Sequence, residues 1–140
     1  MPLLANDTDG ALTRKRVETF AAKLEKVTVV AATDAATVQT ASDLAGAARV
    51  VYTMTPTAAR TLTTPTGALL GAAFTDEAVG TSFEFTVVNV APATYAITLT
   101  AGASGVTLVG VAGMATVAAS SSATFVGYFT AANTVSIYRK

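Results

Sequence analysis

The chain contains no cysteine, no histidine and no tryptophan. Without cysteine there is no disulfide framework, no thiolate metal site and no thiol nucleophile. Without histidine the commonest general base and the commonest metal ligand are missing, and a Ser-His-Asp triad is impossible. Charge is scarce as well. Only 13% of the 140 residues are charged, and 9 basic and 9 acidic side chains balance to zero. Isolated soluble domains usually carry about 25%, so much of this surface is expected to face other protein. A neutral chain with a pI near 6.1 offers no broad electrostatic field for nucleic acid, and none is expected as a partner. No uninterrupted apolar run approaches the ~20 residues needed to span a bilayer, so no membrane partner is expected either. The first ten residues, MPLLANDTDG, lack the basic and apolar regions of a signal peptide. The expectation is a product made and kept inside a cell until it is released.

What is present is alanine, threonine and alternation. Hydrophobic residues make up 51% of the chain, and the mean hydropathy of +0.52 comes largely from 30 alanines rather than from long apolar side chains. The 25 threonines are β-branched and suit strands. The length allows one domain with a core that needs no covalent staples.

Seven of the nine basic residues fall in positions 1–60, five of them being Arg14, Lys15, Arg16, Lys23 and Lys26. Residues 1–10 read as an extended arm. From about Leu12 to Lys26 the spacing of Val17, Phe20, Ala21 and Leu24 predicts an amphipathic helix, with Asp9 or Thr13 as candidate caps. Its opposite face carries Arg14, Lys15, Glu18, Glu25 and Lys26. Residues 1–26 are therefore set apart from a β domain over 27–140.

In that domain Lys26–Ala31 predicts a first strand, and the Ala/Thr-rich ATDAATVQT carries little structural signal. Thr40 to Asp43 resembles a capping box with Asp in place of Glu, and Gly46 ends a one-turn helix. Arg49–Thr55 predicts a strand stopped by Pro56. A short helix or turn is expected at Thr66–Leu70. Phe83, Phe85 and Val87 share one face of a strand beginning at Ser82, with Glu84, Thr86 and Val88 on the other. Tyr95, Ile97 and Leu99 alternate likewise, AGASG predicts a turn, and Val106–Val109 returns. Ala115–Ala118, Thr124–Phe129 and Thr134–Tyr138 complete the series. Short strands at this spacing, punctuated by Gly, Ser and Asn, predict an all-β, antiparallel β-sandwich or jelly-roll-like domain linked by hairpins.

Chemistry-bearing residues are sparse. From Thr61 to Tyr138 there is no Lys or Arg, and the only acids are Asp76, Glu77 and Glu84. Hydrolysis by carboxylates alone needs two acids about 5–9.5 Å apart, which this region is poorly supplied to provide. Asp76 and Glu77 are expected to form a solvated turn, and Glu84 to lie on an outer strand face. Gly102, Gly105, Gly110 and Gly113 lack the Gly-Lys-Ser/Thr ending and the strand–loop–helix context of a phosphate loop, so they read as turns. Asp7 to Gly10 lacks the remaining ligands of a calcium loop. Neither cofactor, metal nor catalytic residue is expected. Arg14-Lys15-Arg16 reads first as a solvated helix face and second as a docking patch. Tyr52, Tyr95, Tyr128 and Tyr138 read as core or edge packing ahead of a carbohydrate-binding surface.

Several segments carry a family resemblance: TPTAARTLTTPT at 55–66, AAF at 72–74, VGTSFEFTVVN at 79–89, GVTLVG at 105–110 and SSATFVGYFTAANTVSIYR at 121–139. In their order and spacing, over roughly the last two-thirds of the chain, they resemble capsid decoration (cement) and head-fibre-type proteins of tailed bacteriophages. The resemblance implies a compact β-sandwich or jelly-roll that is commonly trimeric. It would be made in the host cytoplasm, bind the major capsid protein on the outside of the head, and stiffen the shell as a component of the virion. It implies no enzyme activity. The N-terminal part lies outside the resemblance; from its charge and helical spacing the arm and helix are expected to grip neighbouring subunits, with Arg14, Lys15, Arg16, Phe20 and Lys23 as the capsid-docking residues. The competing expectation is a tail-fibre or spike module that binds host-surface glycans.

Overall fold

Strands dominate wherever β-branched and aromatic residues alternate with smaller ones. The computed structural model describes residues 26–75 and 77–140. Ten strands follow in chain order: β1 (Val27–Ala31), β2 (Thr37–Val38), β3 (Arg49–Met54), β4 (Arg60–Thr63), β5 (Ser82–Asn89), β6 (Ile97–Thr100), β7 (Val106–Leu108), β8 (Thr116–Val117), β9 (Ser121–Ala131) and β10 (Thr134–Arg139). Two short helices, α1 (Ala41–Gly46) and α2 (Gly67–Ala73), separate β2 from β3 and β4 from β5. The predicted arm and helix over residues 1–26, with the docking residues Arg14, Lys15, Arg16, Phe20 and Lys23, lie outside the described residues apart from Lys26.

The strands form two sheets, one of six in the order β1-β3-β5-β9-β10-β7 and one of four in the order β2-β4-β6-β8. The first six strands alternate between them, so the chain winds through three coils. β1, β3 and β5 pair in parallel in the first sheet, and β2, β4 and β6 pair in parallel in the second. The antiparallel order expected from the sequence holds where β9 joins β5 and β10, and where β8 joins β6. Elsewhere it is corrected. AGASG does not fold Val106–Leu108 back beside β6; β7 crosses to the first sheet and runs parallel to β10. The physical reason lies in the connections. Parallel neighbours need crossovers of a dozen or more residues, and the stretches holding α1 and α2 supply them.

Buried faces of both sheets feed one hydrophobic cluster. Val50, Tyr52, Met54, Phe83, Phe85, Val87, Phe125, Phe129, Val135 and Ile137 come from the larger sheet, and Leu62, Ile97, Leu99 and Val117 from the smaller. Phe85 and Phe125 are direct register partners and stack at 5.4 Å between centroids, with Tyr52 edge-on to Phe85 at 6.3 Å. Phe74, just after α2, brackets the cluster against Phe83 and Phe129 at 5.3 and 5.6 Å. Gly127 is the register partner of Phe83. A Cβ at Gly127 would overlap the Phe83 ring, so the missing side chain makes the room that ring occupies.

The helix ends partly follow the sequence signals. Thr66 caps α2, its Oγ1 accepting from the Leu69 N–H at 3.3 Å. Thr40 occupies the N-cap position of α1, but its side chain makes no capping hydrogen bond. The expected capping box is therefore reduced to its backbone geometry.

Candidate contact surface

Because side chains alternate across a strand, the residues opposite the core form a continuous outer face on the six-stranded sheet. Register places Val29, Val51, Thr86 and Thr124 in one row across β1, β3, β5 and β9. A second row runs Val27, Arg49, Glu84, Val126, Tyr138, and a third Ala31, Thr53, Val88, Ser122. Tyr128 adds a ring one register step beyond Val126, packed edge-on against Tyr138 at 6.2 Å. The Thr86 and Thr124 hydroxyls meet at 2.9 Å across the strands. On this face lies the ion pair between Lys140 Nζ and Glu84 Oε2 at 3.2 Å, so Glu84 is outward as expected. Beneath it β3, β5 and β9 carry the aromatic cluster, and the face is mostly valine, threonine and tyrosine.

The outer face of the four-stranded sheet differs in chemistry. Thr61, Thr98 and Thr116 are aligned across β4, β6 and β8, and Val38, Thr63 and Thr100 across β2, β4 and β6. It is a field of hydroxyls aligned by register. At the end of β10, an open groove of about 640 Å³ is lined by Val109, Val111, Met114, Tyr138, Arg139 and Lys140. Val111 is 80% exposed there.

Among the described residues, the Asp34, Glu77 and Glu84 carboxylates make structural contacts. Asp34, in the turn after β1, accepts from Arg60 Nε at 2.6 Å and from the Thr57 N–H at 3.1 Å through Oδ1. Its Oδ2 accepts from the Thr57 hydroxyl at 2.5 Å. This ties the β1–β2 corner to the β3–β4 corner, and Arg60 followed by Thr57 holds the Asp34 carboxyl well below its ordinary range. Glu77 corrects the expectation of a freely solvated turn. Its Oε1 accepts from the Asn133 N–H at 3.3 Å, and Oε2 is buried without a partner, so the residue braces the β9–β10 turn. Asp76 lies outside the described residues. Among the described residues no group of three or more acidic, His or Cys side chains is placed to hold a metal ion. No described helix is long and apolar enough to cross a membrane.

The tyrosines divide. Tyr52 is core, and burial, reinforced by the negative charge of Asp43, pushes its hydroxyl above the ordinary tyrosine range. Tyr128 and Tyr138 share the outer face, while Tyr95 precedes β6 and is 40% exposed. Sequence reasoning had no docking role for Val51, Val88 and Val126. The signal that finds them is alternation that fails to turn polar: on β3, β5 and β9 the residues opposite the core include valine as well as threonine.

Fold and surfaces together define a β-rich, two-sheet protein whose larger sheet has an outer face of mostly valine, threonine and tyrosine, with Arg49, Glu84 and Lys140 as its charges. No family model, no curated protein and no solved structure matches this chain.

Proposed function

We propose that the protein is a virion structural component that decorates the outer surface of a tailed-phage head and stabilises the shell. The observation that carries this reading is the broad, valine-, threonine- and tyrosine-rich outer face of the six-stranded sheet, which suits repeated contact with other protein. The residue-level resemblance over 55–139 supports it independently of the surface. In this role the two sheets act as the layers of a β-sandwich, and copies associate as trimers that spread the contact over neighbouring capsid subunits. Arg14, Lys15, Arg16, Phe20 and Lys23 supply a second, basic contact to the major capsid protein.

The test is the copy number of the polypeptide in purified particles, by quantitative mass spectrometry against the major capsid protein. Hundreds of copies in a simple ratio to the shell protein support decoration. A handful would overturn it in favour of the fibre or spike reading, in which Tyr128 and Tyr138 face host glycans. Absence from the particle would overturn both. Val51→Glu and Val126→Glu, placed on the outer face, are expected to abolish coating of bare heads while leaving the melting temperature within a few degrees.

A further inference from the structure

Among the described residues three polar side chains are buried: Gln39, Thr64 and Asn89. Two of them are matched by direct bonds. Thr64 Oγ1 accepts from the Gly102 N–H at 2.8 Å, and the Asn89 amide bonds to the backbone at Tyr95, Val117 and Ala91. Gln39 is the exception. It is 3% exposed, and neither its Nε2 nor its Oε1 has a partner. Buried polar groups in folded proteins are satisfied by other protein groups or by ordered water, which leaves water for a side chain that bonds to no protein group.

The direction of this side chain follows from the strand pattern. Val38 is turned outward at 64% exposure, so alternation sends the next side chain between the sheets. The Gln39 N–H keeps that register by donating to the Thr63 carbonyl at 2.8 Å. α1 then begins at Ala41 and leads to β3, whose Tyr52 enters the same interior and is 2% exposed. The Tyr52 hydroxyl is also buried without a partner.

The backbone brings these groups to one place. Burial and the Asp43 charge raise the Tyr52 pKa, and the Thr40 backbone opposes them. A backbone group that lowers the pKa of an acid is a donor facing it, which puts the Thr40 N–H beside the hydroxyl. Thr40 directly follows Gln39. Its carbonyl accepts from the Asp43 and Leu44 N–H groups, while its own N–H has no acceptor among the described residues. Three groups with unused hydrogen-bonding capacity are therefore gathered where β2, α1 and β3 join, and none bonds to another directly.

A buried water typically makes about three hydrogen bonds to groups of this kind. We propose that one internal water sits at this join, accepting from the Thr40 N–H and sharing one bond each with the Gln39 amide and the Tyr52 hydroxyl. The amide presents a donor on one side and an acceptor on the other, and water answers either. The site ties the first crossover together as Asn89 ties a later one, with a solvent molecule in place of direct contact. It does not depend on shell binding, so its failure and the failure of the decoration reading are separate results.

A crystal structure of the intact chain tests it. The expected result is an ordered water within ~2.7–3.2 Å of Thr40 N, Tyr52 Oη and one atom of the Gln39 amide. Gln39 bonded directly to Tyr52 or to another protein group, with no water between, would overturn the proposal. Oxygen-17 relaxation dispersion gives an independent count in solution. Long-lived internal waters should number one fewer when Gln39→Leu and Tyr52→Phe are combined, since both replacements nearly keep the side-chain size and remove its polar atoms. Parental amide protection in β5 and β9 shows that the double variant remains folded. An unchanged count in that folded variant would overturn the proposal, and if the variant does not fold the water in the parent crystal decides.

Discussion

Asn89 is the side chain on which the join between the two sheets turns, and replacing it tests the three-coil architecture directly. It ends β5, is 1% exposed, and donates through Nδ2 to the Tyr95 carbonyl at 2.8 Å and the Val117 carbonyl at 3.0 Å. Its Oδ1 accepts from the Ala91 N–H at 3.1 Å. One amide thus binds the end of a strand in the larger sheet, the loop crossing between sheets and a strand of the smaller one. In Asn89→Ala all three backbone groups lose their partner, with Ala91 and Val117 fully buried around them. An unsatisfied buried group costs about 1–3 kcal/mol. Carbonyls with a second lone pair in use fall at the low end, so the sum is set at about 3–5 kcal/mol. At ~2.1 cal/mol/K per residue the unfolding entropy of this chain is ~0.3 kcal/mol/K, which converts that loss to a melting temperature lower by roughly 10–17 °C. Calorimetry and urea unfolding measure it.

Asn89→Asp sharpens the test. A carboxylate oxygen in place of Nδ2 would face two carbonyl oxygens, so the folded state favours the protonated acid and the folded pKa rises. The sign follows: stability is present below the unfolded pKa and is lost as pH rises through the folded value. The Asp variant should stand closest to the parent in acid and fall away toward neutral pH. An Ala variant within about 1 kcal/mol of the parent, or an Asp variant with no such pH dependence, would refute the reasoning.

Phe85→Ala removes a fully buried ring stacked on Phe125, and should cost about 3–5 kcal/mol by thermal or urea unfolding; an unchanged melting point would mean that the ring is not core. Asp34→Asn should remove a pH-dependent contribution of the opposite sign to that at Asn89→Asp. The folded Asp34 pKa is depressed below its reference value of 3.8 by Arg60 and Thr57, so its stabilisation is present above that value and fades as pH falls below it. The gap between parent and variant melting temperatures should therefore close in acid, and a gap constant from pH 7 to pH 3 would argue against the pairing.

Strand positions were legible because the alternation of Phe83, Phe85 and Val87 with Glu84, Thr86 and Val88 reports one buried face whatever the neighbour's direction. That same indifference hid the parallel pairing. A period of two is identical in parallel and antiparallel sheets, so direction had to come from the connections. Two cues were available. The stretch between β3 and β5 is long enough for a crossover. The segment Thr61-Leu62-Thr63 also recurs as Thr98-Leu99-Thr100, and these lie side by side in register, as repeated coils require. β2 was obscured because only Thr37 and Val38 pair, within a run of Ala and Thr that favours no state. Glu77 was misread because its partner, the Asn133 N–H, lies far along the sequence in the β9–β10 turn. The outer-face valines were in plain view, but a valine on a strand signals core until the opposite face is known to be fuller.

The unequal distribution of charge separates the two contacts proposed for the shell. Arg14, Lys15, Arg16 and Lys23 would act through charge, whereas the rows containing Val51, Thr86, Val88 and Val126 would act through apolar area and hydroxyl contacts. Raising salt from about 0.15 M to 1 M shortens the screening length from ~8 Å to ~3 Å, while excluded-area effects hold or strengthen apolar burial. Binding of the intact chain to bare heads, followed by co-sedimentation across that range, should therefore weaken only by the share the basic segment carries. If the sheet face dominates, coating persists at 1 M salt and is lost in Val126→Glu. If the basic segment dominates, coating falls with salt and Val126→Glu binds like the parent, which would refute the assignment of the sheet face. The first outcome is the one expected, because a sheet face backed by a packed core presents its contacts already ordered, and its binding does not have to repay the cost of arranging long, flexible cationic side chains.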